Sequence, residues 1–131
     1  MIVLDTHAWV WFVSNPELLS NSARNAVDAA LERKAVFVSS ISAWEVALLV
    51  AKDRLKLTMD VTQWIGKSER LPFLTFIPVD NAVAIQSVHL PGPLHQDPAD
   101  RIIIATAITI GAPIVTKDEK ILDYPYANTI W

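Results

Sequence analysis

DPADRIIIATAITIGAPIVTKD, residues 97–118, is the stretch that decides the fold. The proline at its second position is favoured at the start of a helix, and the apolar run that follows predicts a helix over residues 98–110. Gly111 ends that helix. Residues 113–116 are apolar and predict a strand directly after it. A buried helix that leads into a uniformly apolar strand is typical of a parallel α/β sheet.

The same alternation continues along the rest of the chain. Three further apolar runs predict strands, at residues 2–4, 35–39 and 73–79. Helices are predicted at residues 8–13, 20–34, 42–56, 59–71 and 81–89, with a last helical turn at 118–122. An additional edge strand is predicted near the C-terminus. Because apolar strands must be covered on both faces, the sequence predicts a three-layer α/β/α domain with a central, mainly parallel sheet of four to five strands.

Composition limits the class of protein further. The 131 residues suit one domain, spanning 1–131, and the chain is 52% hydrophobic and 19% charged. This apolar character fits either a full core or a surface covered by a partner. The chain has no cysteine, which excludes disulfides, zinc-thiolate sites and iron–sulfur clusters. The net charge of −3 argues against a broad basic surface for nucleic acid.

Membrane and export signals are not expected. The N-terminus has no basic region ahead of an apolar run, so we predict no signal peptide. The longest charge-free stretch near the C-terminus, residues 102–116, is shorter than the ~20 residues of a membrane span. Gly111 and Pro113 interrupt it. A cytoplasmic protein without a membrane segment is the resulting expectation.

Four acidic residues fall where the predicted sheet would gather them. Asp5 directly follows the first strand, Glu45 lies near the start of the helix after the second, and Asp118 lies just past the fourth. Asp100 opens the helix that leads into the fourth strand. Open parallel sheets bind ligands beyond the carboxyl ends of their strands. The sequence therefore predicts a functional site at this edge.

Two of these acids sit in sequences that also resemble capping boxes. In residues 42–45, Glu45 has the spacing to bond the backbone at the start of a helix. Residues 116–119 form a second such pattern, which assigns the capping role to Glu119. A purely structural role for each acid is therefore an alternative to a functional one.

Asp97, Asp100 and Asp5 do not lie in capping boxes of this kind. Asp97 is predicted to cap the helix that starts after it, with Asp100 in the favourable first turn. Asp5 has no helix to cap unless Thr6 or His7 begins one. Asp5 is therefore the strongest functional candidate among the acids.

A cation is the simplest reason to gather these carboxylates. Carboxylates at one edge repel each other, and their pKa values rise unless positive charge lies between them. Arg101 and Lys117 are the only basic residues interleaved there. Oxygen ligands of this kind suit Mg²⁺ or Mn²⁺ rather than zinc. Such a site can bind a phosphodiester and activate water.

Four segments together resemble the motifs of PIN-domain toxins of the VapC type. They are LDTHAWVW at residues 4–11, VSSISAWE at 38–45, HQDPADRIIIATA at 95–107 and GAPIVTKD at 111–118. No single segment is specific, but all four occur in order and with the family's spacing. The resemblance covers nearly the whole chain.

The resemblance implies a PIN fold and an endoribonuclease that uses Mg²⁺, with Mn²⁺ as a substitute. It also implies the toxin of a type II toxin–antitoxin pair, a homodimer neutralised by a VapB-type antitoxin. Carried over to this sequence, the catalytic and metal-site positions are Asp5, Glu45, Asp100 and Asp118. Asp97 remains an alternative to Asp100, which we prefer because its spacing to Gly111 fits the family. Many relatives have Asn at the fourth position, so Asp118 is expected to be the weaker ligand.

Several neighbours of the acids are expected to support them. Thr6 and Thr116 either hydrogen-bond the carboxylates or simply end the strands. Arg101 either contacts a substrate phosphate or pairs with Asp97. His7 is expected at the rim of the site.

Other functions share this chemistry. A metal-dependent DNA nuclease or phosphatase without a toxin role would need the same acids. A PIN-like domain that has become a binding module would be free to lose them, and the presence of all four argues against it. A response-regulator-like domain usually pairs two acids before its first helix, whereas Asp5 stands alone.

Overall fold

The computed structural model describes residues 1–131, and at its centre lies a five-stranded sheet in the order β3-β2-β1-β4-β5. All neighbouring strands are parallel. The strands are β1 (Ile2–Leu4), β2 (Val36–Ser39), β3 (Leu74–Ile77), β4 (Ile114–Val115) and β5 (Thr129–Ile130). The predicted parallel sheet is confirmed, and the C-terminal strand pairs with β4 at one edge.

Seven α-helices connect and cover the strands. They are α1 (Thr6–Ser14), α2 (Asn21–Glu32), α3 (Ser40–Ala51), α4 (Val61–Glu69), α5 (Asn81–Val88), α6 (Pro98–Ile110) and α7 (Glu119–Leu122). Helix α6 has the bounds that the sequence predicted, with Gly111 in the left-handed conformation (φ 71°) at its end. Helices α1 and α3 each begin two residues earlier than predicted, which changes how the nearby acids are used. None of the helices is long and apolar enough to cross a bilayer.

The sheet buries side chains on both of its faces, as predicted for the three-layer fold. On one face, Leu4 and Val38 pack with α1, α2 and α4 around the buried rings of Trp9 and Trp64. On the other face, Val3 and Ile114 pack with α5, α6 and α7. Helix α3 contacts α1, α4 and α6, and so bridges the two layers.

The strand register brings three chain segments to one edge of the sheet. Leu4 pairs with Val38 on one side and with Val115 on the other. The residues that follow Leu4 and Val115 therefore leave the sheet side by side, and β2 ends one residue after Val38, at Ser39. Asp5 and Thr116 are the residues that directly follow Leu4 and Val115.

Candidate active site

Asp5 is a buried carboxylate held on both of its oxygens. Its Oδ1 accepts a hydrogen bond from the backbone N–H of Ala8 at 2.9 Å, and its Oδ2 accepts one from the Thr116 hydroxyl at 2.5 Å. Thr6 begins α1, so Asp5 is the N-cap of that helix. The sequence allowed Asp5 a structural role only if a helix began at Thr6 or His7, and α1 does begin at Thr6. Asp5 therefore caps a helix and also lies at the edge of the sheet.

The surroundings of Asp5 favour its uncharged form. Burial raises the pKa of the Asp5 carboxyl above its usual value, and the nearby Asp118 raises it further. The hydrogen bonds from Thr116 and Ala8 lower that pKa, as does the proximity of His7. A positive charge beside Asp5 would lower the cost of ionising it.

A chain of side-chain hydrogen bonds connects Glu45 to Thr6, the residue that follows Asp5. The Thr6 hydroxyl donates to Oε1 of Glu45 at 2.5 Å and lies 2.9 Å from the Ser42 hydroxyl. Because Thr6 has one hydroxyl hydrogen and the carboxylate receives it, Ser42 is the donor to Thr6. The predicted capping box is wrong, since α3 begins at Ser40 and Ser39 caps it by accepting from the backbone N–H of Ile41. The Glu45 carboxylate therefore does not cap the helix.

Asp97 and Asp100 have different surroundings. Asp97 is exposed and caps α6, as predicted, by accepting from the backbone N–H of Asp100 at 2.9 Å. The Asp100 carboxylate is directed elsewhere and accepts from Nε2 of His95 at 2.7 Å. Burial raises the pKa of Asp100 to about 6, against the lowering effect of His95, and Asp97 and Asp118 also raise it.

Asp118 is exposed and caps the last helix. Its Oδ1 accepts from the backbone N–H groups of Lys120 and Ile121, at 2.8 and 3.2 Å. The predicted assignment of that capping role to Glu119 is therefore wrong. The Thr116 hydroxyl accepts from the backbone N–H of Asp118 at 3.0 Å while it donates to Asp5. One threonine thus fixes the relative position of two acids.

Arg101 does not pair with Asp97, so that alternative of the prediction is wrong. Its guanidinium donates to backbone carbonyls, most closely from Nε to Ser87 at 2.9 Å, with longer bonds to Val88, Leu94 and His95. It therefore stabilises the loop between α5 and α6 instead of pairing with Asp97. Sequence reasoning also gave no role to His95, although a histidine five residues before an acid at a helix start was an available signal.

The structure brings some of the predicted acids closer to one another than others. Asp118 acts electrostatically on both Asp5 and Asp100, which places these three in one neighbourhood. Glu45 joins them through Thr6. In this arrangement no three carboxylate or imidazole groups lie close enough together to hold a metal ion. Each carboxylate is turned instead toward a hydrogen-bond donor of the chain.

Comparison with known proteins gives consistent similarities over nearly the full length. The family model described as PIN domain matches residues 2–125. Ribonuclease VapC22 from Mycobacterium tuberculosis is 33% identical over 132 residues, covering 99% of this chain and 98% of that protein.

Solved structures with the same fold support the architecture. VapBC2 from Rickettsia felis, bound to a DNA fragment from its promoter, has a TM-score of 0.71 and 20% identity, covering 98% of this chain and 97% of that chain. FitAcB from Neisseria gonorrhoeae has a TM-score of 0.67 and 22% identity, covering 98% and 96%. At these identities the likeness establishes a shared fold.

Proposed function

The chain belongs to the PIN-domain family, and from that premise we propose that residues 1–131 form a single divalent-metal-dependent endoribonuclease domain. The observation that carries the proposal is the near full-length similarity to a protein named as a ribonuclease. Its proposed catalytic and metal-site residues are Asp5, Glu45, Asp100 and Asp118. Asp118 lies near both Asp5 and Asp100, and Glu45 is connected through Thr6 to the residue that follows Asp5.

The donor set fits Mg²⁺, or Mn²⁺ in its place. The four side chains offer carboxylate oxygens only, which hard divalent cations prefer, and no cysteine or cluster of histidines competes for a softer metal. Burial raises the pKa values of Asp5 and Asp100, so a cation bound beside them would lower the cost of ionising both carboxyl groups. When bound, such a cation polarises the phosphodiester and makes water more acidic.

Asp5 and Asp100 are the proposed principal ligands. Thr116 holds Asp5 in one orientation across the sheet, so that this carboxylate is positioned before any ligand arrives. Asp100 is preferred over Asp97 because Asp97 is exposed and already occupied by the backbone at the start of α6. His95 holds the Asp100 carboxylate in the metal-free protein.

Glu45 and Asp118 are proposed to complete the site. Oε1 of Glu45 is fixed by Thr6, while Oε2 makes no hydrogen bond within the chain. That free oxygen can orient the water that attacks phosphorus in line with the leaving oxygen. Hydrolysis of this kind leaves a 5′-phosphate and a 3′-hydroxyl. Asp118 is exposed, and its Oδ2 makes no hydrogen bond within the chain while Oδ1 caps α7, so Oδ2 is available to assist.

A cleavage assay with purified protein tests this proposal. We expect cleavage of single-stranded RNA with Mg²⁺ or Mn²⁺ and none with EDTA, and we expect Asp5→Asn to abolish it. Asp28→Asn, the same change at an exposed position on α2, is the matched control and should cleave like the parent. Equal cleavage by Asp5→Asn and Asp28→Asn would contradict the assignment of the site.

The same assay separates the alternative functions. DNA of the same sequence and a small phosphate ester serve as parallel substrates. Faster hydrolysis of either one than of RNA would replace the ribonuclease assignment by a DNA nuclease or phosphatase. Absence of both metal-dependent cleavage and saturable Mn²⁺ binding in calorimetry would indicate a binding module.

The proposed biological role is that of a toxin. A solved structure of the same fold is described as a toxin–antitoxin complex from Klebsiella pneumoniae. By analogy, we propose a homodimer that a VapB-type antitoxin neutralises in the cytoplasm. Expression should arrest bacterial growth, Asp5→Asn should not, and co-expression of the protein encoded next to this gene should restore growth. Arrest by Asp5→Asn as strong as by the parent would contradict a role through cleavage.

A further inference from the structure

A cleft of about 270 Å³ opens beside Asp5 and combines features that the acids alone do not provide. It is lined by Asp5, His7, Trp11, Lys117 and Asp118. Two of the proposed site acids thus share one cleft with a cation and two aromatic rings. Glu45 and Asp97 line a separate cleft beside Trp44.

Lys117 is the free cation of this cleft. Its side chain is exposed and forms no ion pair within the chain, although Asp118 is its neighbour in sequence. Arg101, the other basic residue near the acids, donates to backbone carbonyls and does not line this cleft. The positive charge available to a phosphate on this side of the site is therefore that of Lys117.

Trp11 offers an aromatic surface next to that charge. Residues 7 and 11 lie one helical turn apart on α1, and the ring centroids of His7 and Trp11 are 5.8 Å apart. Trp11 also contacts Trp131, with centroids 5.7 Å apart, so its indole is braced within the protein. Nζ of Lys117 lies over the half-buried Trp11 ring, 6.0 Å from its centroid. The charge and the ring are close enough for one nucleotide to contact both.

We propose that this cleft is a nucleotide subsite, in which Lys117 binds a phosphate of single-stranded RNA and Trp11 stacks on the adjoining unpaired base. His7 borders the same base from the first turn of α1. The combination of a cation with a stacking ring is the way proteins bind single strands without reading their sequence. The inference rests on the proposed ribonuclease function and adds to it where the RNA lies relative to the acids, on the side of Asp5 and Asp118.

Binding measurements test the subsite in an Asp100→Asn background, so that the RNA stays intact in Mg²⁺. The probe is a fluorescein-labelled pool of random-sequence single-stranded RNA, followed by anisotropy over a range of KCl concentrations. Lys117→Gln should weaken binding and reduce the slope of log K against log salt by about 0.7, the loss of one phosphate contact. Trp11→Leu should weaken binding about tenfold without changing that slope.

Two control variants keep the test specific. Lys34→Gln removes the same charge just before β2, at the opposite edge of the sheet, and should bind like the Asp100→Asn parent. Trp11→Phe keeps an aromatic ring and should retain most of the binding, and thermal melts verify that both Trp11 variants are folded.

Kinetics in the native background give a second readout. Lys117→Gln should raise KM about tenfold with a much smaller effect on kcat, because a phosphate contact made equally in the bound substrate and in the transition state contributes to binding alone. RNA binding and KM of Lys117→Gln and Trp11→Leu equal to those of Lys34→Gln would overturn the subsite while leaving the ribonuclease function intact. Failure of the ribonuclease function itself would appear as a parent protein that does not cleave RNA.

Discussion

Nε2 of His95 lies 2.7 Å from Oδ2 of Asp100, and this contact ties the loop between α5 and α6 to the acidic edge of the sheet. Both side chains are 17% exposed, so the contact is partly shielded from water. It lowers the pKa of Asp100, but burial outweighs it and leaves that pKa at about 6. The site therefore holds a carboxyl group that is costly to ionise in the metal-free protein.

Asp100→Asn should change the stability of the metal-free protein in a pH-dependent way. The folded pKa of Asp100 lies above the unfolded value of 3.8, so the folded state binds its proton more tightly. Stability is therefore lost as the pH rises from 3.8 through about 6, and it stays lower above that range. Asp100→Asn should be more stable than the parent by about 1–3 kcal/mol above pH ~6 and equal to it below 3.8. Urea unfolding in EDTA across this range measures the difference, and a variant less stable than the parent at neutral pH would contradict it.

A second prediction follows for the partner of that carboxyl group. His95→Ala removes a donor from a half-buried carboxylate, which should destabilise the metal-free protein by about 1–3 kcal/mol at neutral pH. The loss should shrink at low pH, where Asp100 is protonated. His89→Ala, at an exposed position of the same connection, is the control. Equal unfolding midpoints for the two variants would show that the 2.7 Å contact contributes nothing.

Metal binding should appear as stabilisation of the folded chain. A ligand at a hundred times its Kd raises the unfolding free energy by about 2.7 kcal/mol. Mg²⁺ or Mn²⁺ should therefore raise the Tm of the parent and of Asp28→Asn, and the rise should be lost in Asp5→Asn. Differential scanning fluorimetry with and without EDTA measures this, and an equal rise in all three proteins would place the metal elsewhere.

Sequence reasoning predicted the elements well because their signals are local. Apolar runs marked the strands, and the proline and glycine around α6 marked both of its ends. The helix starts beside the acids were harder, because Asp5 caps α1 only if Thr6 is already helical, and the sequence left that open. The prediction of a helix cap depends on a single residue, whereas the prediction of a whole helix or strand depends on many.

The contacts that define the site were beyond local signals. Thr116 and Asp5 are 111 positions apart, and Thr6 and Glu45 are 39 apart, so only the strand register and the position of α3 bring them together. For Arg101, by contrast, a local feature of the sequence was misleading. An acid nearby in sequence suggested an ion pair, but backbone carbonyls of a folded loop supply better acceptors.

Thr116 is expected to matter through both of its hydrogen bonds. Thr116→Val keeps the shape of a fully buried side chain and removes the donor to Asp5 and the acceptor for Asp118. RNA cleavage should fall about 10–100-fold, as for other residues that orient metal ligands. Thr116→Ser should restore most of it. Thr109→Val, whose hydroxyl bonds only its own helix, is the control, and activity of Thr116→Val equal to that control would refute the positioning role.

The last prediction separates Thr6 from Ser42 in the chain of bonds that ends on Glu45. Thr6→Val removes the hydrogen that Oε1 of Glu45 accepts, so the carboxylate loses its fixed orientation toward the attacking water. Ser42→Ala removes only the bond behind Thr6 and leaves the Thr6–Glu45 contact in place. If Glu45 acts on the water, Thr6→Val should lower kcat about tenfold or more with KM nearly unchanged, and Ser42→Ala should have a much smaller effect. Both variants remove the Thr6–Ser42 hydrogen bond, but only Thr6→Val disturbs Glu45. Equal losses of activity in the two variants would therefore mean that the two hydroxyls serve only the packing of α1 against α3.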